Sequence, residues 1–468
     1  MADSQVTLNE LAAKITELSA SLTRQLAEKN IPAPTFAADS PVKYADMTAE
    51  MFVTRQLLTD ALNDMWYLSQ GPSESIYNYV HNAIPDASAL NVLNHFDFWS
   101  AVPLDGSASY EEIAKHTSLP QDVVYRILQH AVTLRLFAET EPGKSTSRVQ
   151  HTSRSAALAK QAGLRALVSS VLDISSAPMM VLNQALDRYS RGKSELTQEM
   201  SETAFALFHS GGASSGKHRN SWEFLENDGE GDRRGWRQKR FVEFMTYVKE
   251  IFHLEGIVLD ALDWKAAGNA KLVDQVGGSA GADAFMLARN FPDLTIVVQD
   301  MPKVKPVFEA DVPEELKSRV SFEEHDLLQP QPVQADIFML KLILHDYPEP
   351  EAARILRALV PALRPGNRVV VIEYIGKVAD DGDGAAKDKE ENNDKGGKEG
   401  PPPQALPRSI QQMGTATDLR MMALFNAKER PAESYRDIFR AADGRFEVVR
   451  VKANPITFFA VIEAVWRG

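Results

Sequence analysis

Gly277, Gly278 and Gly281 separate the apolar run Leu272-Val273 from a helical pattern that starts at Ala282. Glycines at such a junction let the backbone turn sharply and come close to a ligand. Asp300 closes the next predicted strand, 23 positions after Gly277. An acid there can accept both hydroxyls of a ribose, so turn and acid together describe a nucleoside site. NAD satisfies these two features as well, and a strand-end Asp also serves purely structural ends.

Holding these residues in place takes alternating strands and helices. From Lys271 onward the pattern predicts strands at 271–276, 294–299, 319–323, 335–344 and 368–374, with helices running to Asn290 and over 349–363. Strands separated by single helices imply parallel βαβ units. Two further strands, 446–451 and 456–465, are separated only by Lys452-Ala453-Asn454-Pro455 and must form a hairpin. An antiparallel pair closing a parallel sheet is the pattern of class I methyltransferases rather than of dehydrogenases.

The segment Lys341-Leu342-Ile343-Leu344-His345-Asp346-Tyr347 resembles the strand end of the plant- and fungal-type O-methyltransferase family, Lys-x-x-x-His-Asp-Trp. The resemblance extends to the glycine turn, to Asp300-Met301-Pro302 and to the stretch from Met421 to Arg430. It implies a Rossmann-like α/β domain that binds S-adenosylmethionine, without a metal. It also implies a catalytic group in which His345 is the general base and Glu373 and Glu429 flank the imidazole. By the same resemblance Gly277, Gly278, Gly281 and Asp300 hold the cofactor, Asp326 and Leu327 lie at its adenine, and Lys341 lies near its amino-acid end. Phe241, Met245, Leu342, Met421, Met422 and Asn426 match positions lining an acceptor pocket. Phe and flexible Met suit a flat, hydrophobic acceptor, aromatic or polyketide-like.

Two departures stand out. Gln275 occupies the place of an acid two positions before the first glycine, with Asp274 displaced by one, and Ser279 replaces the third glycine. Adjacent strand residues face opposite sides, so Asp274 replaces the missing acid only if the strand bulges.

Upstream, Thr7-Leu8-Asn9-Glu10 is a capping-box pattern, followed by Leu11, Ile15, Leu18 and Leu22 on one helical stripe that needs a partner surface. Residues 88–155 predict helices at 89–99, 110–116 and 122–133 and then two strands flanking 141–144, the order of a winged helix. Its presumptive recognition helix offers only Arg126 and His130 as base readers, so a structural or dimerising use is expected instead. The expected division is therefore a mainly helical winged-helix dimerisation domain at 1–215 and a methyltransferase domain at 216–468. The second carries a disordered insertion at 379–403, where no large apolar residue occurs.

With 51 basic against 64 acidic residues, net charge −13, a general grip on nucleic acid is not expected. Cysteine is absent, which removes disulfides and thiolate chemistry. The opening residues carry no basic stretch followed by an apolar core, and no run approaches the length of a membrane span, so a cytoplasmic protein is expected; the family resemblance and the N-terminal stripe imply a homodimer. The function implied is O-methylation of a phenolic or enolic small molecule in secondary metabolite biosynthesis. The alternative is a pericyclase that binds S-adenosylmethionine without transferring its methyl. A winged-helix regulator is disfavoured by the acidic charge.

Overall fold

Continuous apolar runs such as Val369-Val370-Val371-Ile372 belong to strands covered on both faces, and they build the central sheet of the computed structural model. The structure describes residues 6–44, 47–211, 218, 220–251, 254–275, 281–375, 407–454 and 459–468. Gly277 and Gly278, and the expected insertion at 379–403, lie outside the described residues. The chain divides into two units, one of residues 1–177, 225–248 and 407–410, the other of 178–224, 249–406 and 411–468. This division is interleaved, whereas the sequence suggests a single boundary after residue 215.

In the first unit, Thr7 caps the helix Leu8–Glu28: its Oγ1 accepts from the Glu10 amide, and the Glu10 carboxylate accepts from the Thr7 amide. Leu11, Leu22 and Leu26 are its buried residues. A second helix, Ala49–His95, is broken at Gly71, whose φ of 76° only glycine adopts readily. The expected helix at 89–99 is its last turns, and Asp97 in left-handed conformation separates it from a short helix, Phe98–Ala101. There follow β1 (Ser107–Ala108), the helices Tyr110–Thr117 and Gln121–Thr133, β2 (Phe137–Glu139) and β3 (Val149–His151). The three strands form an antiparallel sheet in the order β1-β3-β2, and the unit packs around Trp99, Ile113, Leu128 and Phe137. His130 on the presumptive recognition helix is engaged by Asp86 at 2.9 Å.

The second unit carries β4 (Lys271–Gln275), β5 (Thr295–Asp300), β6 (Val320–Glu324), β7 (Ile337–Lys341), β8 (Arg368–Tyr374), β9 (Phe446–Asn454) and β10 (Phe459–Trp466). Their order is β6-β5-β4-β7-β8-β10-β9. The first five run parallel, and β10 lies antiparallel between β8 and β9, as the hairpin pattern requires. The order reverses between β4 and β7, and in open α/β sheets the crevice at the carboxyl ends of such strands is where ligands bind. Among the described residues no single helix is long and apolar enough to cross a membrane.

Candidate active site

The carboxyl end of β7 does not run on to Leu344 as expected. Leu342 takes φ of 56°, which stops the strand, and Leu344–Asp346 forms one tight helical turn. A left-handed leucine is strained and persists only where its surroundings impose it. Here the imposing neighbour is β8. The Leu342 amide donates to the Ile372 carbonyl at 2.9 Å, and Oε1 of Glu373 accepts from the amides of Ile343 and Leu344 at 3.0 and 2.6 Å. Glu373 therefore supports the backbone of the turn rather than hydrogen-bonding the imidazole.

The turn presents His345. Its Nδ1 lies 3.0 Å from Oε1 of Glu429, and its Nε2 lies 3.6 Å from Oδ1 of Asp346, too far for a hydrogen bond. Glu429 is fixed through its own amide, which donates to Oδ1 of Asp418 at 2.8 Å. The approach to Glu429 repeats the approach to His345. Asn426, three positions earlier, has φ of 52° and ends the helix Arg408–Phe425, a place that asparagine fills with little strain.

Burial alone would lower the pKa of His345, but the charges of Asp346 and Glu429 and the Glu429 hydrogen bond outweigh it and hold the imidazole well above the ordinary value. Burial pushes Asp346 up to about 6 against the pull of His345. It pushes Glu373 up to about 7, and Oε2 of Glu373 has no hydrogen-bond partner among the described residues. The cluster thus stabilises an imidazolium while resisting full ionisation of its acids.

At the switch point, Gly281 has φ of 81° and opens the helix Ala282–Asn290; a Cβ there would come within 3.0 Å of the Phe308 ring. Asp300 stands at the end of β5, its Oδ1 accepting from the Met301 amide. Asp326 is exposed and Leu327 buried in the loop after β6. Lys341, expected at the amino-acid end of a cofactor, is buried and paired with Asp283, which also lies 2.9 Å from Nζ of Lys249. Asp274 belongs to this group. Burial first, then the charge of Asp283, pushes it up to about 7, and its Oδ2 has no hydrogen-bond partner among the described residues. β4 passes through Asp274 and Gln275 in unbroken register with β5, so no bulge brings Asp274 onto the face of Gln275.

Of the expected pocket residues, Leu342 forms the strained corner, while Met421, Met422 and Asn426 lie on or just beyond the helix leading to Glu429. The Asn426 side chain is committed to the Glu199 carbonyl at 2.8 Å. Phe241 and Met245 share a face of the helix Trp236–Ile251 in the other unit. Sequence reasoning missed Lys249 and Asp283, whose pairing no local pattern announces. It also gave Arg430 no role, although this fully buried arginine adjoins Glu429.

The O-methyltransferase domain model matches residues 229–392. An O-methyltransferase of Purpureocillium lilacinum, lcsG, is 41% identical over 99% of this chain and 94% of its own length. An O-methyltransferase of Alternaria alternata, AMT9, is 32% identical over 98% of this chain and 97% of its own. Among solved structures, OxaC superposes with a TM-score of 0.71 at 17% identity, over 98% of this chain and 99% of its own. A structure described as a pericyclic reaction enzyme superposes with a TM-score of 0.62 at 18% identity, over 96% and 100%. At these identities the structures show a shared fold.

Proposed function

The chain belongs to the O-methyltransferase family, and we propose that it methylates a hydroxyl of an aromatic or enolic small molecule, in secondary metabolite biosynthesis, with His345 as the general base. The observation that carries this reading is the pairing of His345 with Glu429, which leaves Nε2 as the nitrogen available to an acceptor. When bound, S-adenosylmethionine would supply an electrophilic methyl group, its S–CH3 bond breaking to leave the neutral thioether. The protein's task is to hold the acceptor oxygen in line and to remove its proton as the new O–C bond forms. A phenol titrates near about 10 and an unperturbed histidine near about 6.5, so raising the pKa of His345 brings acceptor and base closer. The proton passes to Nε2, and the resulting imidazolium is the form that Glu429 and Asp346 stabilise.

One observation favours the cofactor: at the switch point a Cβ on Gly281 would meet Phe308, so the backbone there stays open to close approach. Gly281 with Gly277 and Gly278 would form the turn, Asp300 would take the ribose hydroxyls, Asp326 and Leu327 would meet the adenine, and Lys341 with Lys249 would face the carboxylate end. Within the second unit, Leu342, Met421 and Met422 would contribute to the acceptor wall.

A homodimer is part of the same reading. The helix Ala49–His95 exposes Trp66, Ile76, Tyr77, Tyr79 and Val80, each by more than 60%, more apolar surface than one soluble helix ordinarily leaves bare. A second copy of this chain is the occupant proposed, and sedimentation at increasing concentration checks it.

A second reading has one specific support. A histidine held as imidazolium is a hydrogen-bond donor, which suits a pericyclase that polarises its substrate and leaves the methyl in place. Methyl-labelled S-adenosylmethionine offered with a panel of phenols and reactive polyenes separates the two. Label in the product, lost in His345→Ala, supports transfer. An isomer of unchanged mass, formed without label, sinks it.

A further inference from the structure

Arg430 is fully buried, and a buried guanidinium is costly unless its hydrogen bonds and charge are answered. Its Nη1 donates to the carbonyl of Leu344 and its Nη2 to the carbonyl of Tyr347, each at 2.6 Å. These two carbonyls lie on either side of His345 and Asp346, so one planar group spans the turn that carries the imidazole. Glu349, at the start of the helix Glu349–Leu359, answers the charge. Its Oε1 is 3.5 Å from Nε of Arg430 and 2.6 Å from Nζ of Lys428.

Three consecutive residues therefore bind one strap of chain to one turn. Lys428 and Arg430 grip the turn and the helix beginning after it, and Glu429 between them meets Nδ1 of His345. A guanidinium presents its donors in a rigid fork; an ammonium has no such fixed spacing. Tyr435, also buried, has its hydroxyl in the same neighbourhood.

We propose that Arg430 is the positioning residue of this site: by bracketing the carbonyls of Leu344 and Tyr347 it fixes the imidazole of His345 in register with the carboxylate of Glu429. It acts through His345. The inference rests on the reading of His345 as the base, but its test does not depend on turnover.

The test is a titration of the full chain labelled with 15N-histidine. The resonance of His345, one of ten histidines, is identified by its loss in His345→Ala. Arg430→Lys keeps a charge and loses the fork; Arg430→Met removes both, and either variant suffices if the other fails to fold. Loosening the strap weakens the contact with Glu429, so the His345 titration is expected to move down, toward the ordinary value of about 6.5. Calorimetric affinity for S-adenosylmethionine should stay within about twofold of the parent. With the phenol that the parent turns over fastest, kcat should fall by roughly 10²-fold, the cost of a misplacement near 1 Å, with little change in acceptor KM. Arg430→Lys should lie between Arg430→Met and the parent. A folded Arg430 variant whose His345 titrates as in the parent overturns the proposal. If His345→Ala keeps its activity while the titration still moves with Arg430, the positioning stands and the assignment of the base falls.

Discussion

Two buried charge clusters lie at the carboxyl ends of neighbouring strands, and they are balanced differently. Around β4 and the helix Ala282–Asn290, Asp274 and Asp283 face Lys249 and Lys341, two acids against two bases, and both lysines are paired to Asp283. Beyond β7, one histidine faces Asp346, Glu373 and Glu429, three acids against one base. In the first cluster, burial lowers Lys341 against the pull of Asp283, and the two lysines lower Asp283 against the effect of burial. In the second, the excess of acid raises the histidine and leaves two of the acids resisting ionisation. The paired residues of the first cluster make an anchor, with Asp274 beside them pushed up to about 7, whereas the excess of acid in the second suits the proton handling proposed for His345.

The contrast is broken most directly by removing one member from each. His345→Ala should lower methyl transfer by about 10²–10⁴-fold and leave calorimetric binding of S-adenosylmethionine intact. Equal loss of binding would mean that His345 supports the cofactor and that the two clusters act as one. Lys341→Met leaves Asp283 with Lys249 alone and should destabilise the fold in urea unfolding by less than the about 3–5 kcal/mol that a buried charge left wholly unpaired costs. Pairing it with Asp283→Leu should recover most of that loss; no recovery would show that the cluster is more than an anchor.

The sharper tests use pH. Because the His345 pKa is raised, its base form is present only above that raised value, so the rate should climb as pH rises through it and be lost below. Glu429→Gln should shift this rise to lower pH, and an unmoved midpoint would exclude Glu429 as a cause of the raised value. The smallest effect is expected at Glu373. Its folded pKa of about 7 lies above the ordinary 4.5, so the parent should lose stability as pH rises from 4.5 through 7, where the buried carboxyl must ionise. Glu373→Gln keeps an acceptor for the amides of Ile343 and Leu344 and should flatten that loss. Parallel melting curves for parent and variant across this range would contradict it.

Much of the scaffold could be read from residue patterns. The strand at 368–374 matches β8 to the residue, because an apolar run with a polar start and a Pro-Gly-Asn turn before it admits little slippage. The strand expected over 335–344 is cut short, since Leu342-Ile343-Leu344 reads as more apolar strand and no composition reveals a left-handed leucine. The helix Ala49–His95 escaped notice for the opposite reason. Gly71, Pro72 and Pro85 read as breakers, and residues such as Trp66 and Tyr79 are exposed, so no single stripe stands out. At the site, the resemblance places Glu373 beside the imidazole, but only the adjacency of β7 and β8 shows its carboxylate under two backbone amides. Asp283 with Lys249, and Arg430 with the turn at 344–347, are meetings that tertiary folding alone creates.

The left-handed leucine has a consequence for anyone seeking a hardier version of this protein. A non-glycine residue there carries about 1–2 kcal/mol of backbone strain, so a library selected by heat alone would be drawn to Leu342→Gly as an easy gain. Such a winner would survive the screen with a corner free to relax, three residues before His345. Selection should therefore score turnover alongside survival, since position 342 is where a thermostability gain and a slower enzyme would arrive in the same clone.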